Sequence, residues 1–250
     1  MRDDHDRGHG ERHRGQHPGG GQAAAGRIDD RGDQDQHREL HRLDDPVQPQ
    51  HTGRPPYQGQ ALRGSRYVGL EDEAKTVSDF GLGLVPGLLQ TADYARAMIR
   101  GGPRELDRDE IERRVEVRMS RQQILFRDDR PRLWAVIDEA VIRRIEGSPA
   151  IMTAQLRHLA EAAEQGKTTL QVVPFSAGAH AGTSGPFVIL ELPEPTEPGL
   201  VYVETLAGDI YLEERADVDR YTLAFDRLRA ASLHPDDSVQ LIEQVASSLT

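Results

Sequence analysis

Apolar positions take on a helical period from Tyr67 onward. Tyr67, Leu70, Ala74 and Val77 stand at steps of three, four and three, which predicts an amphipathic helix. Phe80 to Leu89 is apolar but broken by Gly81, Gly83, Pro86 and Gly87, so it reads as a connector. A short helix follows, with Thr91 as its N-cap and Gly101 as its stop. Asp107 marks the clearest helix start. It can cap, Glu110 falls at the third helical position, and Leu106 and Ile111 flank the start as a hydrophobic staple. This helix is expected to reach about Phe126, with Ile111, Val115, Met119, Gln122 and Phe126 on one stripe.

Arg132 to Asp138 alternates and reads as a strand. Ser148 caps a helix that carries Pro149 in its first turn, a core stripe of Met152, Leu156, Leu159 and Ala163, and Gly166 as its end. Thr168 to Pro174 and Pro186 to Leu192 are short strands. Leu200 to Leu206 and Asp209 to Glu213 form a hairpin turned at Ala207-Gly208. Two helices close the chain, one on Val218, Tyr221, Phe225 and Leu228, the other on Val239, Ile242, Ala246 and Leu249. The order predicts an α+β fold, a mostly antiparallel sheet packed by helices, over residues 67–250.

Residues 1–66 follow no such pattern. They hold 11 apolar residues, 11 Gly, 8 Gln and 7 of the 10 His. Such a stretch buries too little apolar surface to offset its ordering entropy, so it is expected to be disordered and of low complexity. His5, His9, His13 and His17 would stack on one helix face as metal ligands, but Gly8, Gly10 and Gly15 interrupt that helix at about 1 kcal/mol each. The absence of Lys beside abundant Arg, Gly, His, Gln, Asp and Pro is what a frame-shifted remnant or a mis-called start would leave. Translating the upstream DNA in the other two frames checks this; a lack of patterned helices there refutes it.

Charge narrows the functional classes. Residues 1–66 balance 11 Arg against 11 acidic residues, so the net charge of −11 belongs to residues 67–250, with 20 basic against 31 acidic. An acidic domain does not bind nucleic acid non-specifically. No run of 18 apolar residues spans a membrane, and no apolar segment marks a secretory signal. The absence of cysteine excludes disulfides, thiol catalysis and Cys-based zinc sites. Together these features fit the cytoplasm.

Little catalytic chemistry is legible. Gly182-Thr183-Ser184-Gly185 is one residue short of a nucleophile elbow, and no metalloprotease, phosphate-loop or dinucleotide motif occurs. His158 falls off the core stripe and is expected to be exposed; His234 stands at a helix N-cap. Neither spacing fits a metal triad. His180 sits in a loop with Gly178, Gly182 and Gly185, where backbone N–H groups can approach a ligand or partner. The alternative is an ordinary glycine-rich loop, and no acidic partner for His180 is assignable. Asp138 and Glu139 end the first strand, and Glu204 lies in the hairpin; with 31 acidic residues, chance adjacency explains them as well as paired acid–base work. Arg113, Arg114, Arg118 and Arg121 fit a solvated or ion-paired helix face.

Taken in order, certain segments resemble a known family. They are Leu84-Val85-Pro86-Gly87-Leu88-Leu89-Gln90-Thr91-Ala92-Asp93-Tyr94-Ala95-Arg96-Ala97, Glu112-Arg113-Arg114-Val115 with Arg118 and Arg121-Gln122, Asp138-Glu139-Ala140-Val141, Gln155-Leu156-Arg157-His158-Leu159, Val173-Pro174-Phe175 with Gly178, His180 and Gly185-Pro186-Phe187, Val201-Tyr202-Val203-Glu204 and Tyr211-Leu212-Glu213. The set, from Tyr67 to Leu249, is similar to domain-of-unknown-function family 5753, the C-terminal domain of Xre-type helix-turn-helix regulators of actinobacteria, streptomycetes above all. The resemblance implies a regulatory domain that binds an effector, a small protein from a neighbouring gene or a second copy of itself, while a helix-turn-helix reads DNA. It implies no enzyme, cofactor or metal.

Candidate binding residues are Pro86, Gln90 and Tyr94 of the connector region, Arg121, Glu139, Gly178, His180, Gly185 and Glu204. Two departures stand out. No helix pair with a tight turn is readable in residues 1–66, so the chain is expected to lack its own DNA reader. His234 replaces a better N-cap such as Ser, at about 1 kcal/mol. The competing expectation, a hydrolase, would pair His180 with Glu204 or Asp138.

Overall fold

Local signals place most element boundaries. In a computed structural model, which describes residues 63–102, 105–193 and 199–249, helix α1 (Arg63–Glu73) leads into strand β1 (Thr76–Gly81). Helices α2 (Ala92–Arg100) and α3 (Arg108–Arg121) follow, then β2 (Arg132–Asp138), α4 (Glu139–Arg143), α5 (Pro149–Glu164) and β3 (Thr168–Val173). Strands β4 (Phe187–Glu191), β5 (Leu200–Thr205) and β6 (Gly208–Leu212) precede helices α6 (Arg215–Ala231) and α7 (Pro235–Ser248). Thr91, Asp107 and Ser148 each accept a hydrogen bond from a backbone N–H in the first turn, as their positions predict. His234 holds the N-cap of α7 with no side-chain cap bond. Helix α1 starts at Arg63; the expectations for residues 1–62 lie outside the described residues.

Four expectations need correction. Val77 does not continue the first helix but lies in β1. This central strand is covered on both faces, with Val77 turned to one and Phe80, expected in the connector, to the other; the step of three from Ala74 to Val77 mimics a helix. Phe126 is 60% exposed, because residues 122–126 tighten into a 3₁₀ turn that rotates Ile124 and Leu125 inward in its place. The hairpin turns at Leu206-Ala207, with Gly208 already paired to Thr205. His158 is half-buried, and burial pulls its pKa down.

The sheet order is β3-β2-β1-β4-β5-β6. Pairs β1–β4, β4–β5 and β5–β6 are antiparallel, while β1–β2 and β2–β3 are parallel. The fold is α+β, as expected. Its parallel block arises because α2 and α3 link β1 to β2, and α5 links β2 to β3, as crossover connections require. One sheet face buries Val77, Leu133, Ile137, Leu170 and Leu190 against Leu89, Tyr94, Leu156 and Ile242. The other buries Phe80, Val136, Phe187 and Val201 under Val218, Phe225 and Leu228 of α6.

Strand direction gathers the candidate residues. Strands β1, β2, β3 and β5 all run the same way, so their carboxyl ends share one edge of the sheet. The connector after β1, Asp138 and α4 after β2, the glycine-rich loop after β3, and Glu204 near the end of β5 therefore lie along that edge. In open sheets this is where ligands bind.

Candidate functional site

Glutamine side chains hold the connector where regular backbone pairing is missing. Gln90 is buried; its Nε2 donates to the Val85 carbonyl at 2.6 Å. Gln155 donates to the Leu89 carbonyl and accepts from the Thr91 N–H, both at 2.7 Å. Gln122 donates to the carbonyls of Gly87 (3.1 Å) and Gln90 (2.7 Å). The buried Tyr94 hydroxyl accepts from the Val85 N–H at 3.3 Å. Pro86, Gln90 and Tyr94 thus share one rigid unit, and side chains satisfy the backbone groups that no strand or helix pairs.

Helix α3 lies across this unit and divides its arginines by role. Arg113 and Arg114 grip Glu110 and hold its carboxyl down at about 2. Arg121 makes a two-pronged pair with Glu71 of α1, Nε to Oε2 at 3.0 Å and Nη2 to Oε1 at 2.9 Å, with the Glu71 side chain only 3% exposed. Arg118 donates through Nη1 to the amide oxygen of Gln90 at 2.7 Å. Among the described residues no carboxylate lies within 4.0 Å of Arg118. Burial pulls its pKa down and neighbouring Arg121 adds to this, while Glu204 and Glu71 oppose them.

One row crosses the sheet on the face against which Tyr67 packs: Leu170, Ala135, Asp79, Val188, Tyr202 and Tyr211. The Tyr67 ring packs on Tyr202 at 4.3 Å, and the Arg121 guanidinium lies 5.0 Å from the Tyr67 ring centre. Burial raises the Tyr67 pKa, and the Glu71 carboxylate beside it adds to the rise. Asp79 has no hydrogen-bond partner for its carboxyl among the described residues. Burial, then Glu71, push its pKa up to about 7 against the pull of Arg121. Glu71 and Arg121 also line a cleft of about 460 Å³ with Val68, Ser120, Ile124 and Phe126.

The glycine-rich loop folds onto the other face of the same edge. His180 Nε2 lies 3.2 Å from Asp138 Oδ2, with side-chain exposures of 8% and 13%. Its Nδ1 accepts from the Gly182 N–H at 3.2 Å. The ring proton therefore sits on Nε2 and faces Asp138. Asp138 Oδ1 also caps α4, accepting from the Ala140 N–H at 2.8 Å. Glu139 is buried, accepting from the Phe175 N–H and from Arg143, both at 2.6 Å. A Cβ on Gly182 would fall 2.1 Å from the Phe80 ring, so only glycine allows this approach. Gly178 and Gly185 take positive φ at either end of the loop.

The connector, with candidates Pro86, Gln90 and Tyr94, and the helix of candidate Arg121 thus meet in one site through Gln90, Arg118 and Gln122. Glu204 belongs to that side as well: it acts on Arg118 and Tyr202, and no bond among the described residues joins it to His180. Glu71, Asp79, Tyr67 and Tyr202 are site residues that sequence reasoning misses. The one signal for Glu71 is its place four residues after Tyr67, on the buried stripe of α1. Among the described residues no group of His, Asp and Glu is placed to hold a metal ion, and no helix is long and apolar enough to cross a membrane.

Residues 65–244 match a family described as a domain of unknown function, DUF5753. No curated protein and no solved structure matches the chain.

Proposed function

The chain belongs to the DUF5753 family, and we propose that it acts as the regulatory, ligand-sensing part of an actinobacterial Xre-type helix-turn-helix transcriptional regulator, working in the cytoplasm. One observation carries this reading. At the carboxyl edge of the sheet a covered arginine, Arg118, is aimed by a locked glutamine and meets no counter-ion among the described residues. A partly buried cation left in that state favours a receptor over a structural pair. The His180 arrangement supports binding over hydrolysis, because both ring nitrogens are engaged and neither is free to take a proton from a nucleophile. The acidic surplus of residues 67–250 supports DNA contact through another element.

A second reading, docking of a small protein from a neighbouring gene, rests on the β5–β6 hairpin. Among the described residues β6 is an edge strand; Leu206 in the hairpin turn is 91% exposed and Ile210 of β6 44%.

The purified chain separates these readings. Under the sensor reading it gives no sequence-selective gel shift with promoter DNA, and a deproteinised small-molecule extract raises its melting temperature. Stabilisation by the neighbouring protein alone transfers the function to the second reading. A selective DNA shift, or turnover of an ester abolished by His180→Ala, refutes the proposal.

A further inference from the structure

We infer that the sensed molecule is a small carboxylate, held by the Nε–Nη2 edge of Arg118; this deepens the sensor reading and depends on it. Two arginines one turn apart on α3 differ in how their donors are used. In Arg121 the Nε and Nη2 donors each hold one oxygen of Glu71. In Arg118 the protein uses only Nη1, on Gln90, and the edge that Arg121 gives to a carboxylate has no partner among the described residues. That edge matches the two oxygens of a carboxylate in spacing and plane.

The aim is set in advance. Gln90, which anchors Nη1, is itself fixed on the Val85 carbonyl, and its backbone carbonyl is tied to Gln122. Little ordering entropy is then left for binding.

The charge balance selects a monoanion. Around Arg118, Arg121 and Arg114 are balanced in number by Glu71 and Glu204, and Glu110 by Arg113. One free positive charge remains, which suits a single carboxylate and disfavours a doubly charged phosphate monoester. Burial pulls the Arg118 pKa down, the signature of a cation drawn partly out of water without its partner.

The test is titration of the full chain with acetate, benzoate and inorganic phosphate, read by calorimetry and by the ¹⁵N–¹H signal of the arginine Nε groups. Benzoate and acetate are expected to bind and to move one arginine signal. Arg118→Lys, which keeps the charge but loses the fork, weakens binding at least tenfold, whereas Arg113→Lys on the exposed side of α3 leaves it unchanged. Circular dichroism confirms that both variants are folded. Absence of carboxylate binding, preference for phosphate, or equal binding by Arg118→Lys each overturns the inference. Phosphate binding lost in Arg118→Lys would leave the sensor reading standing without the carboxylate. Carboxylate binding that alters neither partner nor DNA association of the intact regulator would remove the sensor reading and leave the site.

Discussion

The two faces of the sheet's carboxyl edge treat their polar groups in opposite ways. On one face, His180, Asp138 and Glu139 are fully committed. Asp138 faces the imidazole and caps α4, Gly182 fills the remaining imidazole nitrogen, and Glu139 holds the start of the loop. On the other face, Arg118 and Asp79 lie under cover with hydrogen-bonding capacity left over. The first arrangement is closed and acts as a clamp that pins a loop to the sheet. The second is open: both residues are half-buried, and their unpartnered atoms keep contact with solvent, where an incoming group can meet them.

The largest effect should come from the closed pair that borders the open site. Arg121→Gln leaves Glu71, 3% exposed, without its counter-ion. A loss of about 3–5 kcal/mol is the range for removing one partner of a buried pair. Urea unfolding of the variant measures it; a loss below about 1 kcal/mol would mean that water reaches Glu71 and that the cover over Asp79 is loose.

Asp79 gives the next effect, and its sign is distinctive. Its carboxyl is raised from 3.8 to about 7 in the folded chain. Between those values the folded state holds a proton that the unfolded state has released, so stability falls as pH rises from about 4 through about 7, then levels off. Asp79→Asn removes this slope. At pH 8 the variant should be the more stable, by up to about 4 kcal/mol, while at pH 4 the two should agree. The difference between paired unfolding curves cancels the other groups, including Glu110, whose depressed carboxyl contributes stability that is lost as pH falls toward about 2. A flat difference would place Asp79 in contact with bulk water.

The clamp predicts a smaller and more local change. Gly182→Ala drives a methyl group into the Phe80 ring, 2.1 Å away, and should cost about 1–3 kcal/mol as the loop lifts. Thermal melting of Gly182→Ala measures it; an unchanged melting temperature would show that the loop is not pressed on Phe80. Gly178→Ala meets open space, but a φ of 66° with a ψ of −138° is closed to other residues, at about 1–3 kcal/mol.

Legibility in the sequence divides along the same physical lines. Thr91, Asp107 and Ser148 are readable as caps because capping is decided within four residues. β1 is not, because a strand buried on both faces loses the alternation that marks a strand. Missing it also hides the parallel block, since the crossover pattern begins at β1. The connector and the arginine helix can each be named as surfaces, but Gln90 and Arg118 are 28 residues apart, and Glu71 and Arg121 are 50. Nothing local distinguishes Asp79 among 31 acidic residues, and Glu71 is marked only by its place four residues after Tyr67. Asp138 is one of two conceivable partners for His180; only the fold shows that Gly182 takes the other nitrogen and turns a catalytic-looking pair into a pin.

The sharpest comparison predicts the smallest effect. Arg118 and Arg121 share a helix face, and burial is the first influence on the pKa of both. Arg118→Gln loses one hydrogen bond to a neutral amide, about 1 kcal/mol, but also removes a cation that folding draws partly out of water without a counter-ion among the described residues. The two changes oppose each other, so the variant should stay within about 1 kcal/mol of the parent chain where Arg121→Gln loses several. That outcome would separate the position of Arg118 from any need of the fold, as a binding role requires. Should Arg118→Gln unfold as readily as Arg121→Gln in the same urea series, Arg118 belongs to the scaffold, and the open face is as closed as the His180 clamp.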